Sequence, residues 1–496
     1  MNDNTPIIKP IPEGEPLPPA MPKREVSKLE KILIPIALLF GLLGNWIVNA
    51  EKIQHSVLLY IVFLMGLLVT VYALHWKKFK QNRITWIGTT FFLLLCLWYF
   101  LFDFHSTYGM LTLLLLPMIL MTIVQMGTGG YKLKEVKRMV AVWLMGWFFE
   151  PFSEIPKFFQ AIASLEKTEQ KFWKKVMLGV LLSIPVLWIA IMLLSSADQV
   201  FAHIFQSRIA RADVDIWLMF VQIIIVSLLM LTVYSFLWNK QYKKYEIGAE
   251  QTKKRQWDPI VSYIVLGALL CVYLLFCVVQ FTYLFAGRGL PESMTYSEYA
   301  REGFGQLIWV TMLNLGVYGL YLLYVPKTKV RQGMLLSLIL FTGIMLLSGF
   351  VRLSLYLQAY QLTWLRLISF WFMIFLSVVL LLCIIRMFRD SFPLFGVCAI
   401  ILLGWYTMLG MANPDKIIVT YNLTQAEDAQ QWIAKNEDYI AYELSSDAYR
   451  IVLDQGYDFQ DMSYWNLEMM HYKSRETLNP SAKEVADYLQ EKLDSY

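Results

Sequence analysis

The chain has 496 residues, 57% hydrophobic, 15% aromatic and only 16% charged, with a mean hydropathy of +0.49. Soluble chains carry about 25% charged residues, so this composition excludes a soluble, disordered, collagen-like or disulfide-stapled protein and points to one that crosses a membrane many times. The formal charge of +5 is modest, and nothing in it points to nucleic acid.

Residues 1–31 open the chain with seven prolines in the first 22 positions, followed by Lys23, Arg24, Lys28 and Lys31. A Pro-rich polar arm of this kind cannot bury enough surface to fold. A secretory signal would place its charges and apolar run earlier, so the first apolar segment is expected to be a permanent span.

A spanning helix needs about 20 mostly apolar residues, because ~30 Å of hydrocarbon is crossed at 1.5 Å per residue. Eleven segments between residues 32 and 411 satisfy this: Ile32 to Ala50, Val57 to His75, Ile84 to Phe102, Tyr108 to Met126, Val176 to Leu194, Val214 to Trp238, Pro259 to Ala286, Phe304 to Val325, Gly333 to Leu355, Leu367 to Met387 and Pro393 to Met411. The fold class expected is an all-α bundle of about eleven transmembrane helices with a small helical C-terminal domain.

The segment 127–175 holds a shorter apolar stretch, Met139 to Phe152, with lysines and an arginine on both flanks. It is too short to cross and reads as a helix in the membrane interface, with Trp143, Trp147, Phe148 and Phe149 at headgroup level. The tail 412–496 differs from the rest, with 16 acidic against 7 basic residues and eleven Tyr and Trp. Helices are expected over Thr424 to Lys435, Asp438 to Leu453 and Ser481 to Leu493, the last opened by a Ser481/Glu484 capping box. The five cysteines all lie in apolar runs and read as buried thiols. No metal-ligand spacing is present, and neither a cofactor nor a catalytic residue is expected.

Positive charges set the orientation, since short cytoplasmic loops collect Lys and Arg. With the N-terminus inside, inner segments hold 29 Lys and Arg and outer loops hold 7, which places the acidic tail outside the cell membrane. Only 7 of the 29 inner charges are Arg, but 6 of the 7 outer ones are: Arg208, Arg211, Arg288, Arg301, Arg352 and Arg366. Lys suffices as a topology signal, whereas the fixed guanidinium fork suits carboxylate or phosphate.

Two of the outer segments are rich in such groups. In the loop 291–307, Glu298, Arg301 and Glu302 have i, i+3, i+4 spacing on one helix face, beside Tyr296 and Tyr299. Around the turn between spans nine and ten stand Arg352, Tyr356, Tyr360 and Arg366. These nine residues form the expected outer-face cluster. The strings Tyr296-Ser-Glu-Tyr-Ala-Arg-Glu-Gly-Phe304, Arg352 with Leu355-Tyr356, Tyr360-Gln-Leu-Thr363 with Arg366, Asn413-Pro-Asp415 and Ser445-Ser-Asp-Ala448 resemble a family of bacterial multi-spanning proteins classed as a domain of unknown function. The resemblance implies a bacterial cytoplasmic membrane protein with no established activity.

Three classes of function are then weighed. A coupled transporter would place acids within its spans, and here Asp103 at a helix end and Glu150 in the interfacial stretch are marginal. A membrane enzyme acting on lipid-linked or anionic substrates would use Glu298 or Glu302 beside the arginines. A non-enzymatic envelope sensor, regulator or assembly partner asks least of the residues. Its expected partners are membrane lipids, an anionic or peptide ligand at the outer face, and a cytoplasmic protein at the basic inner loops.

Overall fold

The computed structural model describes residues 26–103, 105–129, 136–164, 216–243, 256–280, 304–480 and 482–495. Through the spanning part run α1 (Lys28–Val48), α2 (Ile53–Gln81), α3 (Arg83–Leu101), α4 (Thr107–Gly129), α5 (Val136–Phe148), α6 (Glu150–Ser153), α7 (Ile155–Ala163), α8 (Ile216–Tyr242), α9 (Pro259–Gln280), α10 (Phe304–Tyr324), α11 (Lys329–Ala359), α12 (Trp364–Phe388) and α13 (Leu394–Met411). After them come α14 (Pro414–Gln425), α15 (Ala429–Lys435), a π-helical turn (Tyr439–Glu443), α16 (Ser446–Asp454), α17 (Tyr464–Arg475) and α18 (Ala482–Asp494). No strand occurs among the described residues, and ten of these helices are long and apolar enough to cross a membrane. The protein is an all-α, multi-pass membrane protein. The remaining expected span, residues 176–194, lies outside the described residues.

The spanning helices are apolar nearly all round, as lipid exposure demands. Ile260, Leu275, Trp309 and Leu114 are each more than 65% exposed on the surface of the chain. Helix starts follow the capping rules: the Ser27 side chain and the Glu30 carboxylate each accept from the other's backbone N–H at 3.2 Å. Asn82 caps α3 through Ile84 N, and Thr328 caps α11 through Arg331 N. Asn314 ties three spans together, accepting from Tyr273 Oη of α9 at 2.6 Å and donating to Thr342 Oγ1 of α11 at 2.9 Å.

The chain divides into two compact units. In the first, Met1–Gly41 with Pro151–Trp238, the start of α1 meets α8: Trp238 Nε1 donates to Glu30 Oε1 at 3.1 Å. Helix α7 joins them, with Phe158 edge-on to Tyr234 and the Glu154 N–H bonded to Ser235 Oγ. Gly41 is required here, because a Cβ would fall 2.6 Å from the Val226 carbonyl oxygen.

In the second, Leu42–Glu150 with Asn239–Tyr496, α3 packs on α2, α4 and α13, while α9, α10, α11 and α12 surround a core containing Tyr318, Leu335, Leu338, Leu353, Met373 and Cys383. The helices after α13 belong to this unit too, with α14 against α12 and α16.

Three local expectations need correction. The stretch expected as one helix from Asp438 to Leu453 is a π-helical turn and a separate α16, broken at extended Leu444 and Ser445. Helices α14 and α17 begin where none was expected, because Pro414 at the first helical position and Ser463 at the N-cap initiate turns that composition alone did not reveal. Cys271 is exposed on α9 rather than buried with Cys96, Cys277 and Cys383.

Candidate functional site

The turn from α11 to α12 brings together Tyr356, Tyr360 and Arg366 of the expected cluster. The Arg366 guanidinium lies 4.2 Å over the Tyr356 ring and 5.7 Å from that of Tyr360, and those rings are 5.0 Å apart. Its Nη2 donates to Tyr356 Oη at 3.0 Å and its Nη1 to the Gln361 carbonyl. Arg352, one turn before Tyr356 on α11, is buried. Tyr296, Glu298, Tyr299, Arg301 and Glu302 lie outside the described residues.

Beside Arg366 is a cavity of about 420 Å³, within the ~300–1,000 Å³ range of small-ligand sites. One wall is the α11 end and the turn, with Gln358, Tyr360, Gln361 and Thr363, and the other is α14 and α15, with Tyr421, Gln425 and Trp432. Among the described residues Arg366 is the one charged residue in the lining. Trp432 is 6% exposed, and its Nε1–H has no hydrogen-bond partner. Asn422 fixes the two walls in register, its side chain accepting from Leu362 N and donating to Leu362 O, both at 2.8 Å.

Behind this cavity three carboxylates are buried where α14 and α16 meet the spanning helices. Asp103, just past α3, accepts from His105 N and Nδ1 at 3.0 and 2.9 Å and from Ser446 N and Oγ at 2.9 and 2.8 Å. A negative charge from elsewhere in the chain is thereby seated at the α16 N-terminus, where the helix dipole favours it. Asp447 accepts from Asp103 N at 2.9 Å and from Asn479 Nδ2 at 3.1 Å. Asp415 accepts from Trp364 Nε1 at 2.7 Å and Ser445 N at 3.1 Å.

Burial pushes the Asp415 carboxyl up to about 6 despite hydrogen bonds from Ser445 and Trp364, and burial also raises Asp447 to about 6. Burial acts upward on Asp103 too, but the His105 ring and backbone and the Ser446 N–H outweigh it and hold that carboxyl below its ordinary value. Lys473, whose ammonium donates to the Tyr442 and Leu444 carbonyls at 2.7 and 3.1 Å, is lowered by burial. The chain reaches α14 through Asn413, whose φ of +51° is left-handed, a conformation Asn tolerates better than most residues. Just before it, Gly410 lets the Tyr108 ring approach to where a Cβ would be 2.2 Å from it.

At the other end of α4 is a second buried polar site. Lys240 Nζ lies 2.7 Å from Glu150 Oε1, 2.6 Å from Oε2 and 2.7 Å from Gln125 Oε1, and Gln125 Nε2 donates to Glu150 Oε2 at 3.2 Å. Asn239 Nδ2 donates to the Glu150 carbonyl at 2.8 Å. Glu150 is fully buried, so the residue that reads as an interfacial side chain is the partner of a spanning-helix lysine.

Sequence reasoning missed both buried sites. The signal for the carboxylate site was present in Asn413-Pro-Asp415 and Ser445-Ser-Asp-Ala448, which the fold converges on Asp103. Among the described residues no group of His, Cys, Asp and Glu could hold a metal ion.

A family model described as Domain of unknown function (DUF4153) matches residues 89–455. That stretch contains Asp103, Glu150, Lys240, Arg366, Asp415 and Asp447, and it stops before α17 and α18. No curated protein and no solved structure matches the chain. With about three quarters of its length matched, the chain belongs to the DUF4153 family.

Proposed function

We propose that the protein is a non-enzymatic sensor or regulator of the bacterial cell envelope that binds an anionic group in the Arg366 cavity. The observation that carries this reading is a cavity whose lining, among the described residues, has one cation, no carboxylate and several neutral amide and phenol groups. Among the described residues the lining also holds no His, Cys or Lys, so a general acid or base working near neutral pH would have to come from elsewhere. The excess of Lys and Arg in alternate loops supports a cytoplasmic N-terminus and an extracytoplasmic domain over 412–496, with the cavity on the outer side of the cytoplasmic membrane.

Native mass spectrometry of the full chain, purified in neutral detergent, tests the binding. An anionic species retained by the wild type and lost from folded Arg366→Gln supports it, and equal retention by both sinks it. A C-terminal reporter active only in the cytoplasm should be silent. A second reading, a coupled permease, draws on the buried Lys240, Glu150 and Gln125 group, since ionisable residues at membrane depth commonly mark pathways. It predicts that Glu150→Gln abolishes proton-driven solute uptake in vesicles while Arg366→Gln does not.

A further inference from the structure

We infer that the ligand of the Arg366 cavity is the phosphodiester of an anionic glycerophospholipid with a hydroxylated, uncharged headgroup, such as phosphatidylglycerol. The inference rests on the anion-binding reading above and adds the ligand's charge, its headgroup chemistry and its source.

The charge follows from the lining. Among the described residues one guanidinium lines the cavity and no carboxylate does, so a single negative charge is matched, as in a phosphodiester, whereas a monoester at neutral pH would carry nearly two. Two of the five Arg366 N–H bonds are taken, by Gln361 O and Tyr356 Oη, and the rest are available to anionic oxygens. The Tyr356 ring beneath the guanidinium holds its plane fixed, which lowers the ordering cost of such a contact.

The headgroup chemistry follows from what surrounds the cation. Gln358, Gln361, Thr363, Tyr421 and Gln425 line the cavity and offer neutral donors and acceptors that suit hydroxyls. Trp432, 6% exposed, contributes to the same wall. An ethanolamine or choline headgroup would bring a cation next to Arg366, with no carboxylate among the described lining residues to receive it.

The source follows from depth. Leu357 and Gln358 are in the last turn of spanning helix α11, and Arg366 is in the first turn of α12. The cavity therefore sits where two spans end, the level at which phospholipid phosphates lie and where Tyr and Arg side chains anchor helices. Leu365, next to Arg366, is 71% exposed and is placed to meet acyl chain.

The test uses the full chain in neutral detergent, with thermal unfolding followed by intrinsic fluorescence and three probes: phosphatidylglycerol, phosphatidylcholine and soluble glycerophosphoglycerol. Phosphatidylglycerol should raise the wild-type melting temperature by several degrees, and its apparent Kd should rise at least about tenfold in Arg366→Gln and severalfold in Tyr421→Phe. The Tyr421→Phe variant keeps the aromatic ring, so it guards against a fold defect in the first. An equal shift from glycerophosphoglycerol would overturn the lipid source and leave the anion site standing. An equal shift from phosphatidylcholine would overturn the headgroup assignment. A phosphatidylglycerol Kd unchanged in both variants, or a wild type that no probe stabilises, would remove the lipid inference, and the anion site would fall with it only if retention in the mass spectrometer were also the same for wild type and Arg366→Gln.

Discussion

The carboxylates of Asp103, Asp415 and Asp447 are held by N–H and O–H donors of the backbone, Ser446, Asn479, Trp364 and the His105 ring. The Glu150 carboxylate, at the far end of α4, is held by the Lys240 ammonium. The first site lies beyond the ends of spanning helices, where loops and helix N-termini present unpaired N–H groups that a carboxylate can take. The second pairs Glu150, at the start of the short α6, with Lys240 of spanning helix α8 and Gln125 of spanning helix α4, helices whose own N–H groups are consumed internally, so the acid is met there by a side-chain charge. The same chain thus neutralises buried acid by dipoles at the first site and by charge at the second. The two strategies should fail differently.

The largest effect is expected at Lys240. Lys240→Met removes the ammonium 2.6 Å from the buried Glu150 carboxylate, and breaking such a pair costs roughly 3–5 kcal/mol. The double variant Lys240→Met/Glu150→Gln should recover much of that loss, because the carboxylate charge is removed along with the ammonium. Thermal unfolding of the two variants decides the point: a double variant no better than the single one would show that the pair is not the organising interaction.

At the other site a single removal should cost less. Asp103→Asn replaces two acceptor oxygens by one oxygen and an NH2 group, which must then face either the His105 or the Ser446 donors. Losing two hydrogen bonds and opposing donor to donor should cost roughly 2–3 kcal/mol. Limited proteolysis should also detect it, as earlier cleavage between α13 and α18, since Asp103 fastens α16 to the α3–α4 connection. A loss matching that of Lys240→Met would erase the distinction between the two strategies.

How much of this was legible in the sequence depends on the range of the forces involved. The spans were readable because lipid exposure acts on each helix by itself and leaves a continuous apolar run. Arg366, Tyr356 and Tyr360 were readable as a group because eleven residues of one hairpin contain them all. The carboxylate site was not, because Asp103 and Asp447 are 344 positions apart and each reads alone as a helix-end residue. Glu150 was misread for a related reason: its neighbours Phe148 and Phe149 are exposed while it is fully buried, and only the approach of Lys240 explains the reversal.

The pH dependence separates the strategies further. Asp415 and Asp447 have folded-state values near 6, above the ~3.9 of an unfolded aspartate. Their contribution is therefore fully present below about pH 4 and is lost as pH rises through about 6. Asp103, held below its ordinary value, acts oppositely and contributes above about pH 4. The charged neighbours on the packed elements are Lys416 on α14, Glu443 in the π-helical turn and Lys473 on α17. The melting temperature should fall between about pH 5 and 7, and Asp447→Asn should flatten that slope. A melting temperature rising through this range would contradict the assignment.

The smallest effect tests the link between the acid site and the cavity. Trp364 donates its indole N–H to Asp415, and its backbone N–H donates to Tyr439 Oη at 3.2 Å. Trp364→Phe removes the first bond and keeps the second, along with most of the buried ring. The lost bond should cost about 1 kcal/mol near pH 7. Because that bond favours the ionised form, its removal should push Asp415 further up, so the fall in stability with rising pH should shift to higher pH. An infrared band of protonated carboxyl that persists to higher pH in Trp364→Phe than in the wild type would identify the titrating group as Asp415. An unshifted band would assign the titration to Asp447, leaving Trp364 as a packing residue between the turn and α14.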